Sequence, residues 1–559
     1  MSPTNPRLSR DCLIVEQAEQ AIRQLITAHH EWFVAENGGA PLSINADEFD
    51  FLVAHHRLLF SCWTESGSRT WRVLDWNWNG DKLQLRTSRR MGAEISLLEL
   101  VPRASAKAIV ASIAAARQER CERLAQLMAQ TLGVGDRVLG VDSVDVHPKP
   151  HTQHPVFEGT RPPPHTRHPD FNVLLSSVKI ERASLSPGMR RDQPGRFARI
   201  VLRLPHQRIA VTGTVAQSDV RNVDSLFSSA LLWFQRITQS PTRPSIEQLF
   251  LVIERQILEA TRQRHVLLRD SLRQRIELFE IDEDWKELAP VQPFERKHLW
   301  RKRLARFPPV NESESNAQAI DIIANAPQAI DVVASRHGQT LRYHGLPFAR
   351  VRRVLERDRI WFGIEGSRRR VLDDFHRPDW AKLFQDLETY RNEGCRDRRH
   401  WLYRASGEAW LESILRRDIT KLDPGLIIAP LHAQFRTSHG GPTGARPIDL
   451  LALRHDGRLV VIELKVTEDR EHVFQGVDYW RRVEAHRRRG HIASAKLFGE
   501  REISDESPLV YLVAPTLRFH PSFHTLAKTI APDIEIYRFD INEDWRAGVR
   551  VVRRDRVNG

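Results

Sequence analysis

The chain has 559 residues, 41% of them hydrophobic, and 84 Lys and Arg outnumber 71 Asp and Glu to give a formal charge of +13. That length exceeds what one hydrophobic core organises and implies several domains; the basic balance favours polyanionic partners, nucleic acid first. Cys12, Cys62, Cys121 and Cys395 lie far apart with no C-x-x-C spacing, which argues against a disulfide framework and a cysteine zinc site. No stretch approaches the about 18 continuous apolar residues of a membrane span, and Met1 to Cys12 lack a signal-type apolar core, so the expectation is a cytoplasmic protein without membrane contact.

Along the chain, residues 13–36 read as a helix that ends near Gly38-Gly39. A meander follows: Leu58–Glu65, a Ser-Gly-Ser turn, Thr70–Trp78, an Asn79-Gly80 turn and Lys82–Ser88. Trp71, Trp76 and Trp78, with Arg69, Arg72, Arg86, Arg89 and Arg90, offer a base-stacking surface. Core packing of a small sheet explains the tryptophans better. Ser105–Leu132 is an alanine-rich helix closed by Gly133. Residues 145–169 form a Pro/His-rich linker with the near-duplicates Pro150–Pro155 and Pro164–Pro169. Its five histidines, His147, His151, His154, His165 and His168, have no acidic or cysteine partners, and a plain linker is the expected reading.

Phe171–Ile180, Phe197–Leu204 and Arg208–Val215 are strand candidates, followed by helix over 223–237 and again over 246–280. The second helix would carry Arg255, Arg262, Arg264, Arg269, Arg273 and Arg275. A polar, Pro-containing boundary near 308–317 precedes a small α/β segment with a β-like Arg359–Glu365 and the triplet Arg368-Arg369-Arg370. The expected organisation is α/β multidomain: an α+β domain at 1–144, the linker at 145–169, an α+β domain with a basic helix at 170–310, a small α/β segment at 318–395, and a C-terminal α/β domain at 396–559. No P-loop, dinucleotide-binding or zinc-finger pattern occurs in residues 1–390.

The chemistry concentrates near the end. Ile448-Asp449-Leu450-Leu451-Ala452-Leu453 and Leu459-Val460-Val461-Ile462-Glu463-Leu464-Lys465 flank Asp456-Gly457, a hairpin signal. Alternation puts Glu463 and Lys465 on one strand face and Ile462 and Leu464 on the other. Charged groups in an apolar strand cost free energy unless paired, and Asp449 on the partner strand supplies a second carboxylate for a divalent cation. A structural salt bridge at a sheet edge is the plain alternative. Upstream, a helix over 407–422 would bury Leu411, Ile414, Leu415, Ile419 and Leu422, with Glu408 on or beside that stripe and Glu412 at its edge. Downstream, Gln475 and Tyr479 stand one helical turn apart, and Arg481, Arg482, Arg487, Arg488 and Arg489 follow. They are either a phosphate track or a solvated face.

These residues carry a resemblance. Asp449…Glu463-Leu464-Lys465 resembles the core motif of the PD-(D/E)xK nuclease superfamily in its E-x-K form. Gln475-Gly476-Val477-Asp478-Tyr479 is similar to the Q-x-x-x-Y motif of RecB-type nucleases, and the helix opening at Gly407-Glu408 resembles the first core helix of the EndoMS/NucS-like branch. The similarity covers roughly residues 400–555. In one departure, Ile448 separates Pro447 from Asp449; that proline is not a ligand in the family.

The resemblance implies a restriction-endonuclease-like domain with a central mixed sheet flanked by helices. It also implies Mg²⁺, replaceable by Mn²⁺, held by Asp449, Glu463 and the backbone carbonyl of Leu464, with Lys465 and Glu408 completing the catalytic set. Gln475, Tyr479, Arg481 and Arg482 would contact substrate. The expected function is a metal-dependent nuclease, a DNA endonuclease before an RNA one, serving DNA repair or defence against foreign DNA. The alternatives are a non-catalytic nucleic-acid-binding protein that keeps the fold, and a nuclease gated by a protein partner through residues 1–390. A homodimer is compatible with either.

Overall fold

In the computed structural model, the described residues are 6–37, 41–45, 49–54, 57–64, 67–79, 82–89, 94–105, 107–138, 178–188, 195–216, 222–239, 245–292, 294–301, 304, 317–335, 338–354, 357–364, 370–428 and 449–559. The linker at 145–169, the strand start at 171–177, Arg90, Arg368, Arg369 and Pro447-Ile448 lie outside them. The chain is α/β and multidomain. It divides into two compact units: Met1–Ala114 with Arg303–Phe523 and Asp533–Gly559, and Ala115–Lys302 with His524–Pro532. No helix among the described residues is long and apolar enough to cross a membrane.

In the first unit, α1 (Pro6–Thr27) precedes a seven-stranded antiparallel sheet of β1 (Glu31–Glu36), β2 (Leu42–Asn45), β3 (Phe49–Ala54), β4 (Arg57–Thr64), β5 (Gly67–Trp78), β6 (Leu83–Arg89) and β7 (Glu94–Pro102). The helix expected over 13–36 therefore stops at Thr27, and Trp32-Phe33-Val34 becomes buried strand. Its β-branched and aromatic residues prefer a pleated surface. The meander forms as expected. A register shift between Val73 and Asp75 switches side-chain parity, so Trp71 and Val73 are buried and Trp76 and Trp78 also pack against that core. The tryptophans are therefore core residues: Trp71 stands 5.5 Å from the Phe60 ring, and Trp78 stands 6.4 Å from Trp32.

Helix α2 (Lys107–Val138) runs through Gly133 without stopping. Although the sequence boundary at 144 groups it with the first region, its residues Cys121, Leu124, Ala125, Leu127 and Met128 share a core with the sheet that follows. That sheet belongs to the second unit. In spatial order it is β13 (Leu288–Pro290), β12 (Ile276–Ile281), β11 (Ile246–Glu254), β10 (Arg208–Thr214), β9 (Phe197–Arg203) and β8 (Lys179–Leu185), with α3 (Val223–Thr238), α4 (Arg255–His265) and α5 (Asp270–Arg273) between strands. The long helix expected over 246–280 is instead strand, helix, short helix and strand. Leu249–Ile253 are all buried because β11 is a central strand parallel to both neighbours. Such strands read as unbroken apolar runs, which periodicity does not separate from helix.

Back in the first unit, α6 (Ala317–Asn325) and α7 (Arg377–Tyr390) accompany an antiparallel sheet of β14 (Ile330–Ser335), β15 (Gly338–Tyr343), β16 (Leu346–Val354), β17 (Arg357–Phe362) and β18 (Arg370–Val371). Arg391, fully buried, ties this sheet to the helices that follow. It donates to the carbonyls of Tyr343, His344, Leu402 and Ala405 at 2.7–2.8 Å and lies 4.8 Å from the Trp410 ring. A buried guanidinium is tolerable when its donors are satisfied in this way.

The C-terminal part holds α8 (Trp401–Arg404), α9 (Gly407–Arg417), β19 (Leu426–Ile428), β20 (Leu450–Arg454), β21 (Leu459–Leu464), α10 (His472–Arg487), α11 (His491–Ser494), β22 (Leu509–Pro515), α12 (Phe523–Ala527), β23 (Ile536–Ile541) and β24 (Val551–Arg556). The six strands pair in chain order. Those from β21 to β23 run parallel and the outer pairs run antiparallel. One sheet face, with Leu450, Ile462, Leu464 and Tyr511, packs with Trp410, Leu411 and Leu415 of α9. The opposite face, with Leu451, Leu453, Leu459 and Val461, packs with Tyr479 and Val483 of α10. The hairpin turn forms as expected, with Gly457 at φ +81° and its N–H donating to the Arg454 carbonyl at 2.9 Å.

Candidate acidic site at the end of the central strand

β21 is central, and its last residues leave the sheet beside the start of β20. Leu450 pairs with Ile462, which puts Asp449 opposite Glu463. Asp449 is tied to β21 by accepting from the Leu464 N–H at 2.9 Å through Oδ2. Alternation places Asp449, Glu463 and Lys465 on the α10 face, opposite Leu450, Ile462 and Leu464. The sequence reading of that face stands.

Lys465 gathers the carboxylates. Its Nζ lies 2.8 Å from Glu463 Oε1, 3.7 Å from Asp469 Oδ2 and 4.0 Å from Glu408 Oε1. Glu463 is buried, and its Oε2 has no hydrogen-bond partner. Burial, then the charge of Asp449, pushes the Glu463 pKa up to about 8. Burial likewise pushes Asp449 up to about 7 against the opposing pull of Lys465 and the Leu464 N–H. Lys465 moves the other way from most buried lysines: desolvation works against its charge, but Glu463, Glu408 and Asp449 outweigh it and raise its pKa.

Glu408 reaches this group from α9. It is on the expected face, yet its side chain is 43% exposed, because the first helical turn stands past the end of the sheet. Helix α9 also ends earlier than the 407–422 span: Asp418 is extended and Ile419–Lys421 form a 3-10 turn. Glu412, expected at the edge, is buried instead. Arg342 of β15 covers it, with Nη1 3.5 Å from Glu412 Oε1. A single-helix projection has no knowledge of that second packing surface.

Gln475 and Tyr479 both lie buried on α10. Gln475 Nε2 donates to Glu471 Oε2 at 3.4 Å, while its Oε1 is buried without a partner. Burial, followed by the negative charges of Glu463 and Asp449, raises the Tyr479 phenol well above its ordinary value. Arg481 and Arg482 turn onto the buried carboxylate of Asp478, and Arg487 and Arg488 onto Glu484. The arginine run is thus ordered by intrahelical ion pairs.

Two neighbours escaped the sequence reading. Asp469 closes the Lys465 cluster, and His472, buried at the start of α10, places Nε2 3.3 Å from the Glu463 carbonyl oxygen. Burial, then the Lys465 charge, pushes His472 down to about 3, so the imidazole is neutral and can donate to that carbonyl. Both follow Lys465 within one short loop, but neither has a spacing signature.

Among the described residues no three His, Cys, Asp or Glu side chains are grouped so as to hold a metal by themselves. Mg²⁺ needs less, keeping several waters and binding through one or two carboxylates. Two adjacent carboxylates with raised pKa and the orphaned Glu463 Oε2 fit such an ion. No protein-family model, no curated protein and no solved structure matches this chain.

Proposed function

We propose that the C-terminal domain is a Mg²⁺-dependent phosphodiesterase of the PD-(D/E)xK nuclease superfamily with a restriction-endonuclease-like fold, acting on nucleic acid and on DNA before RNA. The observation that carries the reading is the Asp449–Glu463–Lys465 group: two carboxylates side by side at the end of a central strand, one oxygen unpartnered, and an ammonium 2.8 Å from the other. A purely structural salt bridge would pair one acid with one base and would not need a second carboxylate that raises the first one's pKa.

Asp449, Glu463 and the Leu464 carbonyl would hold the cation. When bound it supplies Lewis acidity toward the phosphate and lowers the pKa of a water. Lys465, fixed in its charged form, orients the attacking water and offsets charge building on the phosphate. His472, by donating to the Glu463 carbonyl, keeps the end of β21 in place. Tyr479 and Gln475 wall the carboxylates on the α10 side and exclude bulk water. Glu408, at the open rim, is the group that meets solvent and substrate first.

The test is cleavage of plasmid, linear, single-stranded and branched DNA, and of RNA, with Mg²⁺ or Mn²⁺. Wild type is compared with Glu463→Ala and Lys465→Ala. Metal-dependent cutting that both variants lose supports the reading. A folded wild-type chain that cuts none of these substrates supports a binding-only or partner-gated protein.

A further inference from the structure

Residues 115–302 repeat the topology of the C-terminal domain. In each, a helix (α2 or α9) packs on one face of a six-stranded sheet whose strands pair in chain order. In each, the pairings run antiparallel, antiparallel, parallel, parallel, antiparallel. In each, a helix (α3 or α10) connects the first parallel pair and packs on both of its strands. The register agrees strand by strand. Ile200 pairs with Val211 as Leu450 pairs with Ile462; Gly213 pairs with Val252 as Leu464 with Val513; Val252 pairs with Phe279 as Val513 with Phe539. The sequence keeps a trace where β12 and β23 end: Phe279-Glu-Ile-Asp-Glu-Asp-Trp285 against Phe539-Asp-Ile-Asn-Glu-Asp-Trp545. In both copies the tryptophan meets the packed helix, Trp285 under the Arg120 guanidinium at 5.3 Å and Trp545 against Trp410 at 6.3 Å.

Superposing the registers shows what replaced the acidic site. Arg199 stands at the place of Asp449, Thr212 at Glu463 and Thr214 at Lys465. Aligning Arg120 with Trp410 puts Gln118 at Glu408 and Arg117 at Gly407. No carboxylate remains at these positions, and arginines collect instead. Arg117 Nη1 donates to the Gly195 carbonyl at 3.4 Å and Arg120 Nη1 to the Val215 carbonyl at 3.3 Å, while Arg196 follows Gly195 directly. Arg120 and Arg196 are exposed and Arg117 half-buried. Burial first, and then the charges of Arg196 and Arg120, lower the Arg117 pKa. Like charges gather this way at a cost that a bound polyanion removes.

We infer that the Arg117–Arg120–Arg196 corner is a phosphate-binding site for a nucleic-acid backbone, the anion-holding and non-hydrolytic counterpart of the acidic corner. The choice of nucleic acid as the polyanion rests on the nuclease reading; the corner itself does not.

The test uses the full chain in EDTA with a fluorescein-labelled DNA duplex of about 20 base pairs, titrated across NaCl concentrations. Wild type is compared with Arg117→Gln/Arg120→Gln/Arg196→Gln, which keeps side-chain donors, and with the triple Lys variant, which keeps charge. The expected result is about tenfold weaker binding for the Gln variant and a salt slope shallower by about 2 to 3, with the Lys variant near wild type. Equal affinity and slope for the Gln variant, or no binding by wild type, overturns the inference. Displacement by millimolar AMP with no gain for the duplex over a mononucleotide overturns the backbone assignment. Mg²⁺-dependent cleavage is scored separately: binding through the arginines without cutting leaves the corner and turns the acidic site to the binding-only or partner-gated reading, while cutting with unchanged binding in the Gln variant keeps the nuclease and removes the corner.

Discussion

At the Asp449–Glu463 pair, burial and mutual repulsion both favour a bound proton, with pKa values of about 7 and about 8 in the metal-free chain. A carboxyl whose pKa is higher folded than unfolded stabilises the fold while protonated, and that contribution disappears as pH rises through the folded value. The chain in EDTA should therefore lose thermal stability between about pH 6.5 and 9, and Asp449→Asn/Glu463→Gln should flatten that decline in a series of melting curves. Below about pH 6.5 the histidines act oppositely. His472, His265 and His344, pushed by burial to about 3, about 4 and about 4, favour the fold while neutral, a contribution lost as pH falls toward those values. Mg²⁺ competes with the proton at the carboxylates, so its affinity for the wild-type chain should rise with pH over the same upper window, read by calorimetry. A flat Mg²⁺ affinity would show that Asp449 and Glu463 are not its ligands.

Among the elements, those with a local signature were legible in the sequence and those defined by distant packing were not. The β20–β21 hairpin announces itself by Asp456-Gly457 and alternation, and Asp449, Glu463 and Lys465 fall on the expected face. β11 was hidden because a strand covered on both sides loses alternation, and Glu412 was misplaced because the sheet of β14–β18 covers α9 from a direction its own periodicity does not encode. That contact leans on Gly345. It sits at φ +78° with an added Cβ only 2.0 Å from the Ala409 carbonyl oxygen, so neither its conformation nor its space admits a side chain. Gly345→Ala should cost about 2 to 4 kcal/mol by combining strained backbone with overpacking. The expected readout is an earlier thermal transition of the full chain with Arg342–Glu412 disrupted. An unchanged melting curve would mean that the sheet and α9 do not depend on this close approach.

For the whole molecule, with a net charge of +13, the repeated topology places two carboxyls at one corner and three arginines at the matching corner of the other copy. The repeat was not legible as a motif, because the positions that carry chemistry in one copy are the ones changed in the other. What persists is the pairing of apolar residues such as Val211 with Ile200 and Ile462 with Leu450, which any hydrophobic strand satisfies. Opposite charges predict opposite responses to neutralisation. In EDTA above about pH 8, where both carboxyls have lost their protons, Asp449→Asn/Glu463→Gln removes carboxylates that repel a phosphate backbone and should tighten duplex binding severalfold, whereas the Arg117, Arg120 and Arg196 substitutions should weaken it. With Mg²⁺ present the first effect should shrink or reverse, because the wild-type carboxylates then hold a cation that the variant does not; the second should persist, since no metal ligand has been touched. Anisotropy titrations of the two variants with and without Mg²⁺ decide this. If the acidic variant binds DNA no differently from wild type under either condition, the backbone does not approach Asp449 and Glu463, and hydrolysis at that site falls with it.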